Sequence, residues 1–470
     1  MRRELHKTAV FLCSIIFFLV AASGCAPHSL TEPSPGRLPV SFIGAPADNG
    51  QVVAADRWWH DFHDPLLDRL MEEALAGNLD LRQAYARLEQ LEAASRVADA
   101  GRWPAVNLEA QTGRSGQPAA GGTVAGSSQR LSLAAGFELD LWQKLKSKSD
   151  AARLDVLAGR EEVQTLYLLL TSQLADRYYL AIEQRAQLSR LDTMIESWAE
   201  TVSRVEERYR QGLAQPLDVN QARQSLAAAR ARRPVSEAAL AETEHALALL
   251  LGRFPERNIA GDLAVLPAAP QAYPAGLPAD LLQRRPDIKA AALRVRAMDE
   301  RVGLALADRF PSFNLLADYG SSRSSFQMVL ADSFWDVLFK AALPVLDAGR
   351  RQAEVDRSRA ALKEEMHRYR QTILRALQEV EDALARNHAT EQRLELLDDQ
   401  LRHARASTGL ATDTYFQGVA GYLPVLTAQR LQLEAETQLI GARRQLISDR
   451  ISLIRALGGG VDNYELKIMN

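Results

Sequence analysis

The residues able to do acid–base or covalent chemistry in this 470-residue chain are numerous, but their spacing withholds it. None of its eight histidines falls in an HExxH spacing, which would place two imidazoles and a general base around a metal. No glycine-rich phosphate loop followed by lysine is present, and no serine is framed as a nucleophile elbow. Glu161 and Glu162 sit in a long helical run and read as solvated surface in preference to a catalytic pair. There are two cysteines. Cys13 lies inside an apolar run and Cys25 directly after it, so none remains for an intramolecular disulfide or a thiolate metal site. The sequence therefore predicts no enzyme, no metal site and no cofactor. Cys25 is the one side chain placed for covalent modification.

The element that positions Cys25 is the apolar run from Ala9 to Gly24, preceded by Arg2, Arg3 and Lys7. Basic flank, apolar centre and small-residue end predict a signal peptide over 1–24. The alternative is a membrane anchor, for which the run is short. Ala22-Ser23-Gly24-Cys25 resembles a bacterial lipoprotein box, with Ala22 where such boxes usually carry leucine. In that box the cysteine sulfur takes a diacylglycerol and becomes the mature N-terminus; an unmodified exported cysteine is the other reading. Ala26 at the next position resembles cargo sorted to the outer membrane. Residues 26–50 hold five prolines and three glycines, which predicts an extended, lipidated tether over 25–60. A net charge of −3 gives no electrostatic case for binding nucleic acid.

Past the tether the chain is a tandem duplication. Arg102-Trp-Pro-Ala-Val-Asn-Leu108 returns as Arg309-Phe-Pro-Ser-Phe-Asn-Leu315, 207 residues later. Tyr209, Gly212, Leu217 and Val219 return as Tyr415, Gly418, Leu423 and Val425, and Leu251-Gly252 as Leu457-Gly458, all 206 residues later. Matches holding register over that length set the fold before any local reading does. The first repeat spans 61–253 and the second 286–460, with a Pro/Ala-rich connector at 254–285 that should wrap the outside and a C-terminal tail at 461–470.

Each repeat reads as two strands and a long antiparallel helical hairpin. Alternation predicts strands over about 105–112 and 129–141, and over about 312–320 and 333–345. Residues 113–128, rich in Gly and Ser, read as a loop. Val106, Leu108, Leu133, Phe137, Phe313, Leu315, Trp335, Val337 and Phe339 fall on apolar faces. Glu138, Asp140, Asp336 and Lys340 fall on the opposite, polar faces. Helices are predicted over about 144–211 and 218–251, and over about 349–416 and 424–457, with a break at Gly77-Asn78 in the preceding helical stretch. Leu188, Leu191, Ile195, Trp198, Val202, Val205 and Tyr209 form a heptad seam. Leu394, Leu397, Leu401, Ala404, Thr408, Ala411 and Tyr415 repeat it. Gly212 and Gly418 stop these helices, and Pro234 should kink or break the helix it enters.

An exported chain with no further apolar helix can enter lipid only as a closed barrel. Four strands are too few to close one, since known barrels need about eight or more. A cyclic trimer would supply twelve and close by symmetry. Glu138, Asp140, Asp336 and Lys340 would then face a watery lumen. A soluble four-stranded sheet with one wet face fits the same periodicity.

Seven stretches resemble the TolC-like outer-membrane efflux family, of the NodT-type lipoprotein kind. They are Trp58-Trp-His-Asp-Phe-His-Asp-Pro-Leu-Leu-Asp68, Gly136-Phe-Glu-Leu-Asp-Leu-Trp142, Arg284-Arg-Pro-Asp-Ile288, Arg309-Phe-Pro-Ser312, Leu343-Pro-Val-Leu-Asp-Ala-Gly-Arg350, Glu379-Val-Glu-Asp-Ala-Leu384 and Ala456-Leu-Gly-Gly-Gly460. They span nearly the whole mature chain in family order. The resemblance implies a mainly α fold with a transmembrane β part: a homotrimer with a twelve-stranded β-barrel in the outer membrane, a periplasmic α-helical barrel and an equatorial belt. It implies a passive duct above a periplasmic membrane-fusion adaptor and an inner-membrane pump, usually of the resistance-nodulation-division class. It also implies a periplasmic aperture at the hairpin tips, with Tyr209, Gly212, Asp218, Asn220, Tyr415 and Gly418 as the matching residues. Asp218 keeps an acidic group there; Pro424 and Thr427 stand where some relatives have others. Asp218 also suits a helix cap, and the two roles are compatible. The exit of a type I protein secretion system shares the fold, and a non-conducting periplasmic coiled-coil scaffold is a reading from another class.

Overall fold

The computed structural model describes residues 28–29, 32–44, 57–119, 122–323 and 333–459. The expected signal peptide, Cys25 and the C-terminal tail lie outside the described residues. Asp64 accepts the Leu66 and Leu67 N–H groups at 3.0 and 3.2 Å and so starts α1 (Pro65–Gly77). The expected break follows, with the Asn78 carboxamide accepting from Leu81 N–H at 2.9 Å to start α2 (Leu79–Ala100). The order continues β1 (Ala105–Ala119), β2 (Gly122–Glu138), α3 (Lys144–Arg210) and α4 (Pro216–Leu250). The second repeat gives α5 (Pro286–Ala307), β3 (Ser312–Arg323), β4 (Phe334–Ala342), α6 (Arg350–Phe416) and α7 (Leu423–Ala456). α3 and α6 have the same length, 67 residues. That is about 100 Å each at 1.5 Å per residue.

The chain divides into two compact units. One, built on residues 86–160 and 290–371, holds the sheet. Its four strands lie in the order β1-β2-β3-β4, and every neighbouring pair is antiparallel. The β1–β2 hairpin is longer than its sequence pattern suggested. Residues 113–119 and 122–128 continue the ladder, with Arg114 opposite Ser127 and Gly116 opposite Ala125. Backbone groups make that ladder, so Gly and Ser can carry it without the apolar alternation that marks a half-buried strand. β4 stops at Ala342, short of the expected 345, because Pro344 brings no N–H to a ladder.

β2 likewise ends at Glu138, which moves Asp140 out of the strand and corrects its reading as a wall residue. The Asp140 carboxylate accepts the Leu145 and Lys146 N–H groups at 3.0 and 2.8 Å and caps α3. Asp347, one repeat later, does the same for α6, accepting from Gly349 and Arg351 N–H. Trp142 donates from Nε1 to the Pro311 carbonyl at 2.7 Å and stacks on Phe310.

The other unit, built on the described residues of 37–85, 161–289 and 372–459, holds most of the two hairpins, including their tips. Its main core gathers Trp58, Trp59, Phe62, Leu67 and Met71 against Tyr178, Tyr179, Leu247 and Ile451. The seam is buried at Leu191, Val202 and Val205, and again at Leu397 and Leu401. Gly212 and Gly418 take φ +74° and +78° at the tips, and Leu213 and Val419 N–H return to the Arg208 and Thr414 carbonyls. This is the glycine stop expected of each long helix. Pro234 was expected to disturb α4, yet the helix runs through it. The site is exposed, so the one freed carbonyl, on Arg230, can be hydrated. The duplication reaches the caps: Asn78 Nδ2 donates to the Leu250 carbonyl and Arg285 Nη1 to the Ala456 carbonyl, each at 2.9 Å.

Candidate channel-lining face and hairpin tips

The register puts unlike chemistry on the two faces of the sheet. Opposed pairs Leu108–Leu133, Leu133–Tyr319, Phe137–Leu315 and Ala317–Val337 make one face continuously apolar. In the free chain this face is uncovered: Leu108 is 70% exposed, Trp335 78% and Phe339 58%. The other face carries Asn107, Glu109, Arg130, Glu138, Asp318, Asp336 and Lys340 by the same pairing. Arg130 is bonded to Asp318, and Asp318 lies directly opposite Asp336. Lys144 approaches Glu138 at 3.5 Å at the end of β2. The outer edges of β1 and β4 have no strand partner among the described residues. No helix among the described residues is long and apolar enough to cross a membrane.

At the other site the two hairpin tips meet. The Asp218 carboxylate, in the first turn of α4, accepts the Gln215 N–H at 3.3 Å and so locks its own helix start. The same oxygen accepts the Tyr415 hydroxyl, from the other hairpin, at 3.4 Å. Tyr415 is buried against Tyr422, their rings 5.2 Å apart. Burial first, then the Asp218 carboxylate, raises the Tyr415 phenol. Burial together with Tyr415 and Asp218 pushes Tyr422 up to about 12. Arg208 crosses between the hairpins, donating to the Phe416 carbonyl at 2.8 Å, and Arg204 lies over the Phe416 ring. Asn220 instead bonds its own helix, donating to the Pro216 carbonyl. Tyr209 does not join: it is 47% exposed, against 3% for its repeat-equivalent Tyr415.

The profile of the family described as outer membrane efflux protein matches residues 70–253 and 277–459. The chain belongs to that family. Two matched blocks, one per repeat, fit the duplication read from the sequence. The toluene efflux pump outer membrane protein TtgC of Pseudomonas putida is 29% identical over 95% of this chain and 94% of its own length. The cation efflux system protein CusC of Escherichia coli is 30% identical over 95% of this chain and 99% of its own. The solved outer-membrane channel OprN superposes with a TM-score of 0.87 at 28% identity, over 93% of this chain and 99% of that one. Members of the family are channels and not enzymes.

Several inter-helix ties in this efflux-family chain were missed by motif reading. Glu436 on α7 is 3% exposed and takes Arg190 from α3 at 2.6 Å and Arg405 from α6 at 3.2 Å. Burial alone would raise its carboxyl; the bonds from Arg190, Gln432 and Arg405 bring it below the usual range. Arg185 on α3 is paired with Glu244 on α4 and also donates to the Ala260 carbonyl at 3.1 Å. Adding 206 to each number gives Glu391 and Arg450, which are paired on α6 and α7 with the charges exchanged. Arg450 also reaches the connector, donating to the Pro270 carbonyl at 3.1 Å. Aligning the repeats on each other would have found this pair; a motif search could not.

Proposed function

We propose that this chain is the outer-membrane exit duct of a tripartite efflux system, passively conducting small compounds that an inner-membrane pump delivers through a periplasmic adaptor. The observation that carries the reading is the uncovered apolar face of a polar-backed sheet with two free edges. Lipid satisfies the first, water the second, and lateral pairing between copies the third. Three copies close twelve strands about one axis. Glu138, Asp336 and Lys340 then line the lumen.

The tips form the periplasmic aperture, where Asp218 and Tyr415 fasten one hairpin to the other. Cys25 carries the lipid and the following residues tether it to the outer membrane. The partner pump is of the resistance-nodulation-division class, and the connector at 254–285 forms the equatorial belt. Purified protein reconstituted into planar bilayers should give discrete conductance steps and run as a trimer by mass photometry. A stable monomer without conductance would reject the duct and leave a periplasmic scaffold.

A further inference from the structure

A cavity of about 360 Å³ opens between α3, α4 and α7, within the unit that carries the hairpin tips. Pockets for small molecules run from about 300 to 1,000 Å³. Arg177 lines it from α3, Ser452 and Arg455 from α7, and Ala246 and Leu249 from α4. Asp176 also lines it but supplies no balancing charge, because its carboxylate takes Arg444 at 2.8 Å and the Ser448 hydroxyl at 2.7 Å. Arg177 and Arg455 are exposed, and neither has an ion-pair partner among the described residues. Two guanidinium groups therefore share one concavity without a counter-charge. Ser452 lies one turn before Arg455 on the same helix face and adds a hydroxyl. The α4 wall is apolar, and Leu249 on it is 72% exposed.

The duplication does not account for these charges. Subtracting 206 carries Ser452 and Arg455 to Ala246 and Leu249. Equivalent turns of the two repeats thus line the same cavity, one with a hydroxyl and a cation, the other with hydrocarbon. Adding 206 carries Arg177 to Ala383. Each arginine belongs to one repeat alone, and both stand here. The cavity also has a direction. Leu174, Tyr178 and Tyr179 of α3 enter the core with Trp58 and Trp59, and Ile259 and Leu266 of the connector pack on that core. Asp176 and Arg177 come from the other face of α3, at 3.6 residues per turn. The cavity therefore opens on the side away from the connector.

We infer that this cavity binds a small amphipathic organic anion. The carboxylate, sulfonate or sulfate sits between Arg177 and Arg455 with Ser452 as a further donor, and the apolar body lies on Ala246 and Leu249. A guanidinium pair suits the planar or multiple oxygens of such groups. With the connector wrapped around the outside, the site faces the lumen. The inference rests on the duct proposed above for that placement, and it names a class of compound the duct wall holds.

The test is isothermal titration of 2-naphthoate into the full chain in dodecyl maltoside, with the same micelles alone as blank. One saturable site per chain is expected, weakening as salt rises. Naphthalene-2-methanol keeps the body without the charge and should bind at least about tenfold more weakly. Arg177→Gln combined with Arg455→Gln should weaken 2-naphthoate by a similar factor, with melting point and oligomeric state unchanged. Parent protein that takes up no more than the micelles, or that binds the alcohol as tightly as the acid, would overturn the inference. So would a folded double variant with the parent's affinity. If inorganic sulfate displaces 2-naphthoate and Leu249→Ala leaves its affinity unchanged, the cavity takes the anion alone and the amphipathic assignment fails. Conductance in planar bilayers separates the site from the duct. A conducting protein without binding loses the site and keeps the duct, whereas binding by a chain that does not conduct overturns the placement in a lumen wall.

Discussion

The exchanged ion pairs make a sharp prediction, because the second repeat contains the control for the first. The Arg185 side chain is 12% exposed and that of Glu244 is 5% exposed. Arg185→Glu would put two desolvated carboxylates in contact, and breaking a buried pair costs about 3–5 kcal/mol. Adding Glu244→Arg should restore most of this, since the result has the orientation that Glu391 and Arg450 already use. What stays lost are the bonds from Arg185 to the Ala260 carbonyl and Asn258 Oδ1, about 1 kcal/mol each.

Thermal unfolding followed by circular dichroism in detergent reads the difference. At about 2–4 °C per kcal/mol for a unit the size of one repeat, the single variant should melt roughly 6–20 °C lower. The double variant should recover to within about 8 °C of the parent. Refutation would be a double variant no more stable than the single one. The two orientations would then not be interchangeable, and the pair's strength would depend on surroundings the repeats do not share.

Three further outcomes are expected. Leu133→Arg or Val337→Arg should deplete the protein from the outer-membrane fraction, at about 2–4 kcal/mol per site near the bilayer centre, whereas Asn107→Arg on the opposite face should not. Gly320→Ala should reduce assembled protein in the same assay, because its Cβ would stand 2.3 Å from the Leu131 carbonyl oxygen; Gly409→Ala, with nothing within 4 Å, should be neutral or slightly stabilising. The Tyr422 phenol holds its proton to about 12 in the fold against an ordinary 10.0, so its contribution is intact below pH 10 and is lost as pH rises towards 12. Melting points of Tyr422→Phe should show a shallower decline over that window than the parent, and parallel curves would exclude Tyr422 as a source of the alkaline loss.

By itself the sequence determined the plan. Two registers of matching residues defined the duplication, and the heptads, glycine stops and strand alternation placed the hairpins and both faces of the sheet. These are local or periodic signals, and the physics that reads them acts within a few residues. Tertiary structure decided what spacing does not encode. Residues 113–119 and 122–128 of the Gly/Ser stretch became strand because a backbone ladder needs no side-chain pattern. Asp140 looked like one more polar residue of an alternating run, yet it caps α3, because β2 ends two residues before it. Tyr209 and Tyr415 occupy the same place in the repeat, but only Tyr415 has Asp218 beside it, since that partner comes from the other hairpin. The Arg190–Glu436 tie joins residues 246 apart in sequence, and the Arg185–Glu244 tie joins residues 59 apart across one hairpin. Their pairing depends on which faces the fold brings together, and no local pattern records that.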